Sequence, residues 1–74
     1  MIQPGKVNYD NLVRMANQIS QFFESQSGID VPAGVAEHIR KFWTPVMRRQ
    51  ILEYARNGGA GLRDPAAKAV LLLA

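Results

Sequence analysis

The sequence contains no cysteine, and this absence excludes several kinds of site at once. Without thiols a chain forms no disulfide, no zinc–thiolate centre and no iron–sulfur cluster, and it has no thiol nucleophile. The sequence also has a single histidine, His38, and only six acidic residues, which are scattered along the chain. Because catalysis needs a convergent set of titratable groups, we expect no catalytic residue, cofactor or metal site here. Such a protein works by binding something else.

Long hydrophobic runs are also missing. The longest uninterrupted apolar stretch, residues 69–74, is far shorter than the roughly 20 residues that cross a membrane. Residues 1–5 have no charged start leading into an apolar segment, so we expect no signal peptide. Together with the lack of cysteine, these features favour the cytoplasm and no association with membranes.

With 74 residues, 47% of them hydrophobic, the chain is expected to fold as one domain covering residues 1–74. A domain of this size buries only about 60% of the surface that its unfolded chain exposes, so its core is small. Leu62 and the aliphatic segment 70–73 exceed what such a core readily buries. We therefore expect the isolated chain to form homodimers.

The charge is uneven along the chain. Residues 1–37 carry a net charge of −2, whereas residues 38–63 carry six basic side chains against Glu53 alone, a net charge of +5. A basic segment favours an acidic protein surface, nucleic acid or anionic lipid as partner, and charge alone does not choose among them.

The spacing of apolar residues predicts an all-α fold, a small single-domain helical bundle of three main helices and a short C-terminal helix. The helices are expected at about 9–25, 32–43, 45–57 and 65–73. At about 100° per residue, each of the first three helices has an apolar stripe that should face the core. The stripes are Leu12, Met15, Ala16, Ile19, Phe22 and Phe23; Val35, Ala36, Ile39, Phe42 and Trp43; and Met47, Ile51, Tyr54 and Ala55.

Polar residues mark the predicted helix ends. Asn8 or Asp10 can cap the first helix, and Thr44 before Pro45 separates the second helix from the third. The third helix should end at Gly58, and Asp64 before Pro65 repeats the arrangement of cap and proline.

Three features that resemble functional sites are better explained structurally. His38 lies at the edge of an apolar stripe, where a lone histidine is usually a partly buried hydrogen-bonding residue. Residues 57–61, Asn-Gly-Gly-Ala-Gly, lack the lysine and hydroxyl residue of a phosphate loop and follow a helix, so they indicate a helix end and a turn. Trp43 is the only tryptophan and is expected in the core, although tryptophan also serves as an interface anchor.

The outer face of the third helix is the best candidate for a binding surface. Four residues fall there within an arc of about 100°: Arg48, Arg49, Leu52 and Arg56. A solvated basic face explains them equally well, because a single exposed leucine is ordinary. Arginine, however, is enriched at interfaces where lysine is depleted. We take these four residues as candidate partner-binding residues.

Nucleic acid is the alternative partner, with the chain acting as a free-standing basic helical module. Two helices joined at Thr44-Pro45 could form a helix-turn-helix. The second of them would then begin with Pro45, Val46 and Met47, which are apolar where base-reading side chains are needed. No aromatic platform for single strands alternates with the basic residues. The nucleic-acid interpretation therefore fits the sequence poorly.

Three blocks of sequence carry a resemblance to a known family, at residues 11–23, 38–48 and 58–62. Their most specific parts are Met-Ala-Asn-Gln-Ile at 15–19 and Phe-Trp-Thr-Pro-Val-Met-Arg at 42–48. In order and spacing these blocks resemble the delta subunit of soluble, NAD-dependent, molybdenum-containing formate dehydrogenases. Ser20 stands where the family is expected to have glycine, and residues 25–34 and those beyond 63 carry little of the resemblance.

The resemblance implies an accessory subunit without a cofactor of its own. It would bind the large subunits of a cytoplasmic complex that oxidises formate to carbon dioxide and reduces NAD, with molybdopterin, flavin and iron–sulfur chemistry in those other subunits. It would support the assembly, stability or activity of the complex. The motif blocks mix core positions with surface positions, so the resemblance does not assign the interface.

Overall fold

A computed structural model describes residues 8–74, which form four α-helices joined by short turns. The helices are α1 (Tyr9–Glu24), α2 (Val31–Phe42), α3 (Pro45–Arg56) and α4 (Asp64–Leu71). The predicted fold class, a small helical bundle with three main helices and a short C-terminal one, is confirmed. α1 and α3 begin where predicted, and the other helix ends differ from the predicted ranges by one or two residues, as is usual where helices fray.

Side-chain caps begin the first three helices. The side-chain oxygen of Asn8 accepts a hydrogen bond from the Asn11 amide at 3.1 Å, and Asp30 accepts one from Ala33 at 3.2 Å. Thr44 accepts one from the Met47 amide at 3.1 Å. Each cap satisfies an amide that has no partner within its own helix. Asn8, rather than Asp10, is therefore the cap of α1, and the prediction for Thr44 is confirmed.

The start of α4 was predicted wrongly. The residue before the helix is Arg63, which makes no side-chain cap hydrogen bond, and Asp64 already lies in the first turn. The backbone amide of Arg63 donates to the side-chain oxygen of Asn17 on α1 at 2.8 Å. This bond ties Arg63 to α1 in an extended conformation, so the helix begins one residue earlier than the sequence indicates. The Asp64 carboxylate pairs instead with Lys68 at 3.3 Å.

The core lies where α4 meets the other helices. α4 contacts α1, α2 and α3, while α2 and α3 each contact α1 and α4. Small side chains are prominent in the core and allow the helices to approach closely. The buried apolar residues are Leu12, Ala16, Val35, Ala36, Ile39, Trp43, Ile51, Ala66, Ala69 and Val70. The short fourth helix thus supplies three of the ten core residues found among residues 8–74.

Two predicted core residues are on the surface. Phe22 is 61% exposed and Phe42 is 71% exposed, whereas the residue that follows each of them turns inward. Successive helical side chains point about 100° apart, so at a helix end one of two adjacent aromatic residues can face the core while the other faces solvent. Phe23 occupies the space left by Gly34 on α2, where an added Cβ would lie 3.0 Å from the Phe23 ring. The predicted burial of Trp43 is confirmed.

The glycine-rich segment after α3 is a helix end and a turn, as predicted. Gly58 and Gly59 have φ values of +114° and +60°, a region that favours glycine. The Gly59 amide donates to the carbonyl of Tyr54 at 3.0 Å and the Gly58 amide to that of Ala55 at 3.2 Å. These bonds satisfy the last carbonyl groups of the helix.

Polar contacts join α1 to the segment between α3 and α4. The Asn17 amide group donates to the Gly61 carbonyl at 2.9 Å, in addition to accepting from Arg63. The Arg63 guanidinium binds both carboxylate oxygens of Glu24, at 2.9 and 2.6 Å. Ser20, fully buried on α1, donates its hydroxyl proton to the same carboxylate. Ser20, where the resemblance led us to expect glycine, therefore takes part in this network.

The Glu24–Arg63 pair should make folding stability depend on acid. The hydrogen bond from Arg63, assisted by that from Ser20, lowers the pKa of Glu24 from 4.5 to about 2. A carboxyl group whose pKa is lower in the folded state than in the unfolded state stabilises the fold. This stabilisation is complete at pH values above the unfolded-state pKa and is lost as the pH falls towards the folded-state pKa. We expect the urea midpoint to fall between pH 5 and pH 2, and to fall less in Glu24→Gln.

The control for this experiment is Arg63→Gln, which keeps the carboxylate but removes its partner. Like Glu24→Gln, it should reduce the acid dependence of folding stability, because the hydrogen bond from Arg63 is what lowers the pKa of Glu24 most. Urea titrations followed by circular dichroism at several pH values measure both effects. A Glu24→Gln variant that keeps the full wild-type pH dependence would contradict the assignment.

Candidate partner-binding surface

The part of the chain that the structure describes contains no candidate metal site and no candidate membrane span. Among residues 8–74 no group of three or more His, Asp or Glu side chains could hold a metal ion. In the same range no helix is long and apolar enough to cross a membrane. His38 is half-buried between two aromatic rings, with ring centroids 6.4 Å from Phe23 and 4.7 Å from Phe42.

The fold sorts the basic side chains of residues 38–63 into three groups. Arg63 is bound by Glu24, and Lys41 lies 3.6 Å from the Glu37 carboxylate on the surface of α2. Arg56 lies exposed in the last turn of α3. The remaining three, Arg40, Arg48 and Arg49, line one hollow. Half of the six basic side chains in this segment therefore lie at one place on the surface.

This arginine hollow lies between the end of α2, α3 and the segment after α4. Its lining consists of Arg40, Pro45, Arg48, Arg49, Leu52 and Leu73. Leu52 and Leu73 are half-buried and pack against the core, so they form an apolar floor. The hollow combines guanidinium groups with apolar surface, which is the combination enriched at protein interfaces.

Three of the four residues predicted as partner-binding meet in the arginine hollow. Arg48, Arg49 and Leu52 line it, but Arg56 does not, because it lies one to two turns further along α3. Leu52 is half-buried instead of standing exposed among arginines. Whether any of these residues binds a partner stays a prediction.

Besides Pro45 at the start of α3, sequence reasoning missed two residues of the hollow, Arg40 and Leu73. Both belong to other parts of the chain, and only the packing of α2 against α4 brings them beside α3. A hydrogen bond of 2.8 Å from the Arg40 guanidinium to the Leu72 carbonyl joins these parts directly. No pattern within α3 could have indicated them.

A second surface feature is an aromatic patch formed by Phe22, Phe23, His38 and Phe42. The Phe22 and Phe23 rings meet edge to face with centroids 5.2 Å apart. Ile19 adds apolar surface beside Phe22, Phe23 and His38. The sequence pattern had assigned Phe22 and Phe42 to the core, which is why it did not predict this patch.

The described residues define a small all-helical protein whose surface carries a basic hollow with an apolar floor and a separate aromatic patch. Leu71 and Leu72 are also exposed, so the predicted homodimer retains an apolar surface on which it could form.

A family profile described as "NADH-dependant formate dehydrogenase delta subunit FdsD" matches residues 11–70. The chain belongs to this family. No curated protein and no solved structure matches the chain.

The match confirms the resemblance found in the three sequence blocks, and it extends through residues 25–34 and 64–70, where the motifs carried little signal. The structure gives several motif residues structural roles. Asn17, in the first block, binds Gly61 in the third block. In the second block Trp43 is buried and Thr44 caps α3, whereas Arg48 lies at the arginine hollow.

Proposed function

We propose that this chain is a non-catalytic accessory subunit that binds the large subunits of a cytoplasmic NAD-dependent formate dehydrogenase. On this proposal the other subunits oxidise formate and reduce NAD, and this chain supports the assembly, stability or activity of the complex. The observation that carries the proposal is the family match over residues 11–70. A delta subunit must contact at least one of the other subunits.

The surface of the chain supports this role. Two features suited to protein contacts, the arginine hollow and the aromatic patch, lie on an otherwise small domain. Exposed aromatic and arginine side chains are the residue types most often found as energetic anchors of interfaces. We place the partner contact on the outer face of α3, the face that the sequence predicts, at the end that carries Arg48, Arg49 and Leu52.

The test is co-purification from cells that express the large subunits with an affinity-tagged version of this chain. We expect the tagged chain to retrieve those subunits, and the tag alone to retrieve none. Formate-dependent NAD reduction should be higher in extracts that contain the chain than in matched extracts without it. Failure of the tagged chain to retrieve any large subunit, with no effect on activity, would overturn the proposal.

The purified chain provides a separate check on the non-catalytic role. Assayed alone with formate and NAD, it should show no turnover. Measurable NADH formation that follows the chain through purification would show that it is an enzyme in its own right.

A further inference from the structure

We infer that the arginine hollow binds an acidic segment of a partner protein, one that also inserts an aliphatic side chain. This inference rests on the proposed function for the identity of the partner. It goes further by naming the chemistry of the contact and by moving the site away from Arg56. The contact would involve Arg40, Arg48, Arg49, Leu52 and Leu73.

The charge of the hollow is the first observation. Three guanidinium groups from two helices line it, and none of its lining residues is acidic. The ion pairs found among residues 8–74 use other basic residues, namely Lys41, Arg63 and Lys68. Guanidinium groups bind carboxylates through two parallel hydrogen bonds, so a partner that supplies carboxylates satisfies this cluster. Like charges that line one hollow also repel one another, and an acidic partner relieves that repulsion.

The apolar floor is the second observation, and it favours a protein over a nucleic acid as the partner. Pro45, Leu52 and Leu73 lie among the three arginines. A phosphate backbone is bound chiefly through its charge, whereas the aliphatic surface here matches an aliphatic side chain of a protein. Within the described chain, no aromatic side chain lines the hollow, so it lacks the stacking surface typical of single-strand binding. A peptide segment with carboxylates and a leucine-like side chain matches both parts of the hollow.

The hollow is also partly fixed before binding. Arg40 donates one N–H to the Leu72 carbonyl at 2.8 Å, which holds its guanidinium beside the apolar floor. A guanidinium has five donors, and among residues 8–74 the other N–H groups of Arg40 make no hydrogen bond that would compete with a carboxylate. Arg48 is half-buried, which restricts its side chain. Side chains that are already ordered lose less conformational entropy on binding.

The main test compares Arg49→Glu with Arg56→Glu in the tagged chain. Both residues are exposed, both lie on α3, and both substitutions change the charge equally. Only Arg49 lines the hollow. We expect Arg49→Glu to reduce recovery of the large subunits at least tenfold and Arg48→Glu/Arg49→Glu to abolish it. With Arg56→Glu, recovery of the large subunits should stay within about twofold of the wild type. On this inference Arg56 contributes only to the overall positive charge of the surface.

Circular dichroism shows that each variant is folded before its binding is compared. Arg56→Glu is the stricter control, because a negative charge in the last helical turn is itself unfavourable. Equal losses of large-subunit recovery with Arg49→Glu and Arg56→Glu would indicate a general electrostatic attraction and would overturn the inference. Wild-type recovery of the large subunits with Arg48→Glu/Arg49→Glu would also overturn it. If the wild type retrieves nothing, the proposed function fails instead, so the two failures are distinguishable.

A second experiment identifies what occupies the hollow. In Arg49→Lys the new amine can be joined to a neighbouring carboxylate by a carbodiimide, and mass spectrometry then locates the cross-link. We expect a link to an Asp or Glu of a large subunit, with an aliphatic residue within about one helical turn of it. Arg56→Lys should give no such link. Loss of the association after nuclease treatment would show a nucleic-acid partner and overturn the inference.

Discussion

Trp43→Ala should destabilise the protein by about 3–5 kcal/mol, the usual cost of removing a large aromatic side chain from a core. Trp43 is 6% exposed and closes the core where α2 ends. A domain of 74 residues has a total stability of about 4–11 kcal/mol. The substitution therefore removes a large part of it, and we expect a substantial unfolded population at physiological temperature.

The neighbouring residue provides the matched control for this prediction. Phe42→Ala also removes an aromatic side chain from the end of α2, but Phe42 is 71% exposed. Its effect on stability should stay within about 0.5 kcal/mol, as for most surface substitutions. Urea unfolding followed by circular dichroism measures both variants without relying on tryptophan fluorescence. Similar losses of stability from the two substitutions would contradict the inward orientation of Trp43 and the outward orientation of Phe42.

Ile51→Ala should cost about 2–5 kcal/mol, because it leaves a cavity beneath α3. Ile51 is the only fully buried residue of this helix, so it is the main attachment of α3 to the core. The arginine hollow depends on the position of α3, which carries Arg48, Arg49 and Leu52. We therefore expect weaker retrieval of the large subunits as well as lower stability.

Val46→Ala is the control, since it truncates another β-branched residue of α3 that is 49% exposed. It should change the free energy of unfolding by no more than about 0.5 kcal/mol. Thermal and urea unfolding of the two variants, with the wild type beside them, provide the comparison. A stable Ile51→Ala protein would show that other contacts hold α3 in place.

Much of the fold follows from local sequence patterns. Asn8, Asp30 and Thr44 have side chains that bind amides three residues ahead, so the starts of α1 to α3 depend on nearby residues alone. The end of α3 follows from Gly58 and Gly59, whose backbone conformations other residues adopt poorly. The start of α4 differs because the amide of Arg63 is held by Asn17, 46 residues earlier in the chain.

The candidate site was predictable only in part. The helical period correctly brought Arg48, Arg49 and Leu52 to one side of α3, because that period is a property of a single helix. It also included Arg56, since an arc on a helix wheel does not show how far along the axis a surface extends. Arg40 and Leu73 come from other elements and were not predictable.

The sequence by itself determined that the protein is helical, where α1 and α3 begin, and that its excess positive charge lies between residues 38 and 63. Only the tertiary structure decided which neighbouring aromatic residue faces the core and which arginines share a surface. The physical reason is the distance along the chain over which each interaction acts. Capping, helical period and glycine conformation act within a few residues, whereas burial and charge clustering depend on how α2, α3 and α4 pack together.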